Sequence, residues 1–337
     1  MDEIRTPDND GNASGIQQNT VPLAETNGSV RISSITKPSL TDEDLRNACY
    51  DYIKGFYCYG DRFIRNMVLT DIQNECAFHY KLESFCEKRE IAEKTTSYYG
   101  QRIDGSHNGP PPHPWEVEIK PPTWFQDHEE YTEIPHTAYK KHCETCKWNM
   151  KVRCDKCSGK GEDHCLLCLG SGKEDGGNRC MACKGSGKEM CEKCHGKGLV
   201  ECGACDGHGE LVHFEVVIAT WRTHSEDFIS NTFNLPKSLI LEAEGEEIYK
   251  EEGEVVQPIK LDLDKEVTEG SAALISKHKS SFEEEMITAQ RHFLRAVPLT
   301  KATYTWRNKE GEFYVYGLEK KVYFEEYPQT CGNCICC

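Results

Sequence analysis

Twelve cysteines between positions 143 and 205 are the residues of this chain whose types and spacing could do chemistry. They form six Cys-x-x-Cys pairs, which are Cys143/Cys146, Cys154/Cys157, Cys165/Cys168, Cys180/Cys183, Cys191/Cys194 and Cys202/Cys205. The gaps between successive pairs are 7, 7, 11, 7 and 7 residues, so they read the same in both directions. Paired cysteines at this spacing are typical of structural zinc sites, in which four thiolates surround one ion. The count therefore predicts three Zn²⁺ ions.

Glycines follow these pairs at fixed positions. Five of the six pairs continue as Cys-x-x-Cys-x-Gly-x-Gly, and the last glycines of these motifs are Gly161, Gly172, Gly187, Gly198 and Gly209. A glycine after a tight turn adopts positive φ without steric cost, and a second glycine lets the backbone reverse closely. The first pair continues instead as Lys147-Trp148-Asn149-Met150. We interpret residues 143–209, called the cysteine segment below, as a repeat array with an atypical terminal unit.

The symmetric gaps suggest how the pairs combine. If the chain reverses in the glycine-rich central gap, equal gaps on either side bring matched pairs together. The resulting nested sites are Cys143, Cys146, Cys202 and Cys205; Cys154, Cys157, Cys191 and Cys194; and Cys165, Cys168, Cys180 and Cys183. Sequential combination of neighbouring pairs fits the spacing equally well. We favour nesting because it gives the central glycines a turn to form.

The cysteine segment has little apolar material with which to fold. Its large apolar residues are too sparse to offset an ordering entropy of roughly 1–2 kcal/mol per residue. A structural zinc site contributes about 10–16 kcal/mol of apparent free energy. We therefore expect the segment to be disordered without zinc and ordered with it.

Other potential ligands lie near or outside the array. The cysteines complete three sites without His142, His164, His195 and His208, which we expect to face solvent or to lie behind the ligands. We interpret Cys49, Cys58, Cys76 and Cys86 as small core residues. Four more cysteines near the C-terminus could bind metal, become oxidised, carry palmitoyl groups or have no function; these are Cys331, Cys334, Cys336 and Cys337.

The repeats resemble the cysteine-rich zinc domain of DnaJ-type co-chaperones, which carries four Cys-x-x-Cys-x-Gly-x-Gly motifs. In that family the first motif shares zinc with the fourth and the second with the third, so the resemblance also implies nesting. This chain has six pairs, and in place of the His-Pro-Asp of a J domain it has only His113-Pro114-Trp115. As a whole it resembles the eukaryotic Ssu-two homologue family. That resemblance rests on the array and on the motifs at residues 77–85 (AFHYKLESF) and 134–137 (IPHT).

The flanks must supply the elements that position the array. A capping box at Thr41 predicts a helix with Leu45 and Cys49 on its buried face. Alternation predicts strands around Tyr80 and Val117, and short apolar runs predict strands around Val216 and Val322. A hairpin is also predicted, with a glycine-containing turn between residues 303–306 and residues 313–316. A second capping box predicts a helix from Phe282 through Phe293. Residues 104–114 read as a loop.

These elements predict an α+β fold, β-rich with a few helices, that carries the array as an inserted zinc-binding β-hairpin arm. The predicted divisions are a disordered tail (1–40), an N-terminal α+β part (41–141), the zinc domain (142–210), a C-terminal α+β part (211–328) and a cysteine-rich tail (329–337). The two α+β parts could pack into one domain, as in the client-binding domain of DnaJ, or form two.

Charge and motifs separate the function classes. The chain has 40 basic and 56 acidic residues, and three zinc ions bound by twelve thiolates would leave the cysteine segment near −5, which disfavours nucleic-acid binding. No secretory signal or spanning segment is evident, so we expect the cytosol, and also the nucleus, with membrane contact only through an acylated tail. No catalytic motif appears. Our first hypothesis is a non-enzymatic, chaperone-like protein that binds polypeptides; the alternatives are a thiol–disulfide oxidoreductase and a nucleic-acid-binding zinc protein.

Overall fold

The computed structural model of the chain describes residues 31–32, 39–230, 233, 235–261 and 264–330. Most of the predicted tail over 1–40 lies outside these residues. The four cysteines from Cys331 to Cys337 lie outside them as well, so the prediction for the C-terminal tail and most of the prediction for the N-terminal tail concern residues that are not described. Within the predicted N-terminal tail, Arg31 and Ile32 are described, and they form a short strand that pairs with Lys260 and Leu261.

Strands dominate the described residues, which confirms the predicted β-rich α+β class. The helices are α1 (Asp42–Ile53), α2 (Arg62–Asn66), α3 (Lys237–Glu242) and α4 (Lys265–Ser281), with a 3₁₀ turn at Pro114–Glu116. The strands are β1 (Arg31–Ile32), β2 (Val68–Ser97), β3 (His128–Glu133), β4 (Tyr139–His142), β5 (Lys151–Arg153), β6 (Glu162–His164), β7 (Lys188–Met190), β8 (Leu199–Glu201), β9 (Glu210–Ser230), β10 (Glu246–Gly253), β11 (Lys260–Leu261), β12 (Met286–Trp306), β13 (Lys309–Tyr316) and β14 (Lys321–Tyr323).

One eight-stranded sheet contains strands from both sides of the cysteine segment. Its main order is β14-β13-β12-β2-β9-β3, with β10 also pairing β12 and β4 also pairing β9. The central strand β2, which precedes the segment, pairs antiparallel with β9 and β12, which follow it. Three smaller two-stranded sheets pair β1 with β11, β5 with β8, and β6 with β7.

Helix α1 begins at the predicted capping box. The Thr41 side chain accepts a hydrogen bond from the Asp44 amide, and the Asp44 carboxylate accepts one from the Thr41 amide. Leu45 and Cys49 are fully buried and pack with strands β12, β13 and β14. The strands predicted around Tyr80, Val216 and Val322 are also present, as parts of β2, β9 and β14.

The hairpin of β12 and β13 is confirmed, but its turn is shorter than predicted and contains no glycine. Arg307 and Asn308 form a two-residue turn with φ values of 51° and 59°, and Trp306 pairs with Lys309 across it. Turns of this length suit the right-handed twist of adjacent strands when both residues adopt positive φ. Gly311 lies inside β13 instead, where a side chain would collide with the ring of Tyr304.

The predicted helix from Phe282 is wrong. Helix α4 ends at Ser281, Phe282 is its C-cap, and β12 begins at Met286. Strand β12 pairs with β2 over nearly its whole length, from Met286 opposite Glu87 to Thr305 opposite Val68. Pairing in the middle of a sheet outweighed the local helical spacing, because long-range backbone pairing overrides weak propensity.

The predicted strand around Val117 is also absent. Pro114 opens a 3₁₀ turn that His113 caps, and the residues after it form no strand. The guanidinium of Arg89 donates to the carbonyls of Pro114 and Val117 at 2.6 and 2.8 Å. Arg89 is itself paired with Glu87 in the interior, at 2.6 Å. The segment is therefore fixed by a buried arginine rather than by a strand neighbour.

Candidate metal centres

The sheet continues directly into the cysteine segment. Strand β4 pairs with the start of β9, with His142 opposite Glu210, and the next amide, that of Cys143, donates to the carbonyl of Gly209 at 2.9 Å. The hydroxyl of Ser97 on β2 also donates to Asp206 at 2.5 Å. The first and last cysteine pairs are thus held together at the edge where the segment leaves the sheet.

Beyond this edge the segment is a ladder of two antiparallel halves. Strands β5 and β8 join the first unit of the ladder to the second, and β6 and β7 join the second to the third. The chain then reverses between Glu174 and Asn178, where Gly176 and Gly177 have φ values of 116° and 83°. The predicted turn in the central gap is therefore confirmed.

The ladder brings the twelve cysteines together in three groups of four. The groups are Cys143, Cys146, Cys202 and Cys205; Cys154, Cys157, Cys191 and Cys194; and Cys165, Cys168, Cys180 and Cys183. These are the groups of the nested arrangement. The sequential arrangement, which the spacing left open, does not correspond to the groups in the structure.

The distances between the sulfurs fit a tetrahedral ion. Across the three groups the Sγ atoms of matched cysteines lie 3.7–3.9 Å apart. Zinc–sulfur bonds of about 2.3 Å in a tetrahedron place the sulfurs about 3.8 Å from each other. No disulfide joins these twelve cysteines, since all of them are free. The three groups therefore have the donor type, number and spacing for three metal ions.

Backbone amides point at one sulfur of each glycine-containing unit. The amides of the final glycines donate to the preceding cysteine Sγ at 3.2 Å, in the pairs Gly161–Cys157, Gly172–Cys168, Gly187–Cys183, Gly198–Cys194 and Gly209–Cys205. Hydrogen bonds to a charged sulfur favour the thiolate over the thiol. Burial opposes this for Cys157, but the Gly161 amide and the neighbouring thiols lower its pKa to about 7. Sequence reasoning assigned these glycines a conformational role and missed the amide donors.

The first unit reaches the same backbone shape without glycine. Lys147, Trp148 and Met150 have φ values of 47°, 75° and 59°, close to those of Ser158, Gly159 and Gly161 in the second unit. Residues other than glycine rarely adopt positive φ, so the backbone of the first unit carries local strain. The Trp148 ring stacks on His142 with centroids 3.3 Å apart, which joins the unit to the end of β4. The atypical unit is thus in direct contact with the sheet, as the last unit is through Asp206.

Thiols make up most of the interior of the cysteine segment. All twelve are buried, while the partly buried apolar neighbours of the groups among the described residues are Val152, Val200 and Leu211. Within the described residues, a packed apolar core is absent from this segment. This arrangement agrees with the prediction that bound metal must supply its folding energy.

A glycine substitution should expose how closely the two halves approach. A Cβ added at Gly161, where φ is 76°, would lie 2.4 Å from the carbonyl oxygen of Gly196. We expect Gly161→Ala to destabilise the segment by at least about 1–3 kcal/mol, because strained backbone and a rigid backbone contact coincide. Gly203→Ala is the control, since a Cβ there meets nothing within 4 Å and needs no positive φ. The chelator concentration at which half of the metal is lost measures the stability of the segment in both variants. Equal concentrations for Gly161→Ala and Gly203→Ala would contradict the close approach of the two backbones at Gly161.

The remaining candidate ligands are placed as follows. His142, His164, His195 and His208 are exposed and belong to none of the three groups. Cys49 and Cys86 are buried and Cys76 is half-buried, but Cys58 forms a disulfide bond, so its interpretation as a free core thiol was wrong.

A fourth group, Cys86 with His224 and Glu285, was missed by the sequence analysis. Its members lie far apart in sequence, on elements that only the sheet brings together.

Comparisons with known proteins agree over most of the chain. It is 38% identical over 302 residues to Protein SSUH2 homolog of Danio rerio, an alignment that covers 89% of this chain and 82% of the relative. It is 36% identical over 309 residues to the Homo sapiens protein of that name, covering 88% and 80%. The Mus musculus protein of that name is 40% identical over 224 residues, covering 66% of each. No family model matches the chain, and no solved structure does.

Proposed function

The chain belongs to the SSUH2 homologue family, and we propose that it is a zinc-dependent, non-enzymatic protein that binds polypeptides in a chaperone-like manner. In this proposal the twelve grouped cysteines hold three Zn²⁺ ions in a DnaJ-like hairpin arm. Four sulfurs would fill each coordination sphere, leaving no open position for a reacting water. The ions would therefore build a surface rather than carry out a reaction.

The observation that carries the proposal is an exposed apolar patch on the third metal group, the one farthest along the ladder from the sheet. We call it the tip patch; its members are Leu166, Leu167, Leu169 and Met181, with 82%, 79%, 86% and 79% of their surface exposed. Contiguous exposed apolar side chains are unusual on soluble proteins and mark interaction surfaces. They favour a partner that offers apolar side chains in return.

The tip patch is confined to the third group, because the same positions of the second group carry charged residues. Between the two cysteines of a pair, the third group has Leu166-Leu167 and Met181-Ala182, whereas the second group has Asp155-Lys156 and Glu192-Lys193 at the same positions. Those charged residues pair across the second group, with Lys193 Nζ 2.6 Å from Asp155. The same turn thus carries solvated ion pairs in one group and uncovered apolar side chains in the next. Metal binding alone accounts for neither choice.

Suppression of client aggregation tests the proposal. We expect the zinc-loaded full chain to suppress aggregation of a chemically denatured client at equimolar amounts, and the chelator-treated chain to lose this effect. Loss is expected because the tip patch is presented only while the third group is closed. Light scattering during dilution from denaturant measures both, with an unrelated acidic protein as the control. Undiminished aggregation with the zinc-loaded chain would contradict polypeptide binding.

Disulfide reduction separates the oxidoreductase alternative from the proposal. A thiol reductase needs a free thiolate, and a cysteine bound to metal offers none for exchange. We expect insulin reduction by the zinc-loaded chain to stay at the uncatalysed rate. Turbidity of the reduced insulin B chain measures it, with thioredoxin as the positive control. Reduction above background while all zinc stays bound would support the alternative.

A further inference from the structure

A second kind of ligand cluster lies within the main sheet, away from the cysteine segment. It consists of Cys86 on β2, His224 on β9 and Glu285 just before β12. One donor atom from each lies within 4.8 Å of the other two, and His224 Nε2 is 2.6 Å from Glu285 Oε2. Thiol, imidazole and carboxylate are the three side chains that most commonly bind zinc.

Strand register brings these donors together. His224 pairs with Ser84, two residues before Cys86 on β2, so His224 and Cys86 are diagonal neighbours on one face. On the other side of β2, Ile287 pairs with Cys86, and Glu285 lies two residues before Ile287. The central strand therefore supplies the sulfur, and its two neighbouring strands bring the other donors to it.

Packing holds the three donors in place and leaves one side open. Cys86 is 1% exposed, whereas the side chains of His224 and Glu285 retain 31% and 20% of their exposure. The His224 ring stacks on Phe282, the C-cap of α4, with centroids 4.1 Å apart. The ring and the carboxylate are thus fixed between a buried sulfur and solvent. A bound ion would have three protein ligands and one accessible position.

We propose that Cys86, His224 and Glu285 form a fourth metal site, for Zn²⁺ or a divalent cation of similar ligand preference. On binding, the thiol proton leaves to solvent and the His224 proton moves from Nε2 to Nδ1, so that sulfur, Nε2 and a carboxylate oxygen become the ligands. The thiolate and the carboxylate then balance the two positive charges in a partly buried place. Unlike the three cysteine groups, this site keeps an open position, as exchangeable and catalytic zinc sites do.

A nucleophilic cysteine is the other role that a Cys, His and Glu cluster suggests. Reactive cysteines are partly exposed and have a lowered pKa. Cys86 is enclosed, and burial together with the neighbouring Glu285 carboxylate raises the pKa of its thiol to about 12. The geometry therefore favours metal binding over nucleophilic attack.

Cobalt added to the full chain loaded with three Zn²⁺ ions, one for each cysteine group, tests the site. We expect one Co²⁺ per chain beyond the zinc already bound, counted by native mass spectrometry, with an absorption band for a single thiolate ligand. Cys86→Ala should abolish this band. The milder Glu285→Gln should weaken Co²⁺ binding by more than about tenfold, because even the loss of a residue that only hydrogen-bonds to a metal ligand weakens binding by about that factor. Circular dichroism checks that both variants remain folded.

His213→Gln is the matched control. His213 Nδ1 lies 2.9 Å from Glu93 on the same sheet, a histidine–carboxylate pair that belongs to no cysteine-containing group in the described residues. The His213→Gln variant should bind Co²⁺ as the wild-type chain does. Three outcomes would overturn the proposal: no additional Co²⁺ in the wild-type chain, additional Co²⁺ that persists in both site variants, or Co²⁺ that only displaces zinc from the cysteine segment. The test is independent of polypeptide binding.

Discussion

Replacing Cys154 and Cys191 together with alanine is expected to cost the protein one zinc ion, whereas replacing Cys143 and Cys154 together should cost two. The first two cysteines belong to one group of four, with sulfurs 3.8 Å apart. The second two belong to different groups. In the sequential arrangement the outcomes are exchanged, because Cys143 and Cys154 would then share an ion and Cys154 and Cys191 would not. Two double variants therefore distinguish the arrangements.

The effect should be large because, in the proposed function, bound metal supplies most of the folding energy of the cysteine segment. A structural zinc site contributes about 10–16 kcal/mol, and in the described part of the chain only three partly buried apolar residues pack against the cysteine groups. The four larger apolar clusters of the sheet and its helices contain no residue of the cysteine segment. We expect a lost ion to unfold its part of the ladder while the sheet stays folded.

Native mass spectrometry gives the number of ions, and hydrogen exchange locates the unfolding. In the Cys154/Cys191 variant, amides of β5, β6, β7 and β8 should lose protection, while those of β2 and β12 keep it. Cys49→Ser is the control for thiol loss outside the array, because Cys49 lies in the cluster around α1 and should cost no zinc. Two ions lost with Cys154 and Cys191, or none in either double variant, would contradict the nested metal sites.

Local signals predicted the parts of this fold whose causes are local. The capping box at Thr41, the alternation around Tyr80 in β2 and the apolar runs in β9 and β14 lie within short stretches, where side-chain spacing and backbone geometry are directly linked. The cysteine groups were predictable for another reason, because equal gaps around a glycine-rich turn leave few ways to align the halves. That the groups bind zinc remains a prediction.

Long-range pairing explains what could not be predicted. The capping-box pattern after Ser281 is a valid local signal, but the first half of β12 pairs with β2 on one side and with β10 on the other and so becomes a strand. The cluster of Cys86, His224 and Glu285 depends on the register of three strands, and no spacing in the sequence encodes it. The exposure of the tip patch likewise depends on the hairpin, since Leu166 and Leu167 would be read as core residues in most contexts.

Removing the tip patch should abolish most client binding without affecting the metals. In the variant Leu166→Ser, Leu167→Ser, Leu169→Ser, three exposed side chains change, while the cysteines and glycines of the third group are untouched. Burying one leucine contributes about 1.5–3 kcal/mol, so losing three should lower client affinity by more than about tenfold. The zinc count should remain that of the wild-type chain.

Three exposed aliphatic residues of the main fold provide the matched control. Val68, Val255 and Leu318 are 62%, 65% and 56% exposed, and their replacement by serine removes exposed apolar surface elsewhere on the protein. We expect this control to suppress client aggregation as the wild-type chain does, which would assign binding to the tip patch rather than to general hydrophobicity. Full activity in the leucine variant, with zinc retained, would place the client surface outside the tip. Loss of zinc from that variant would instead show that the leucines support the third group, which their exposure argues against.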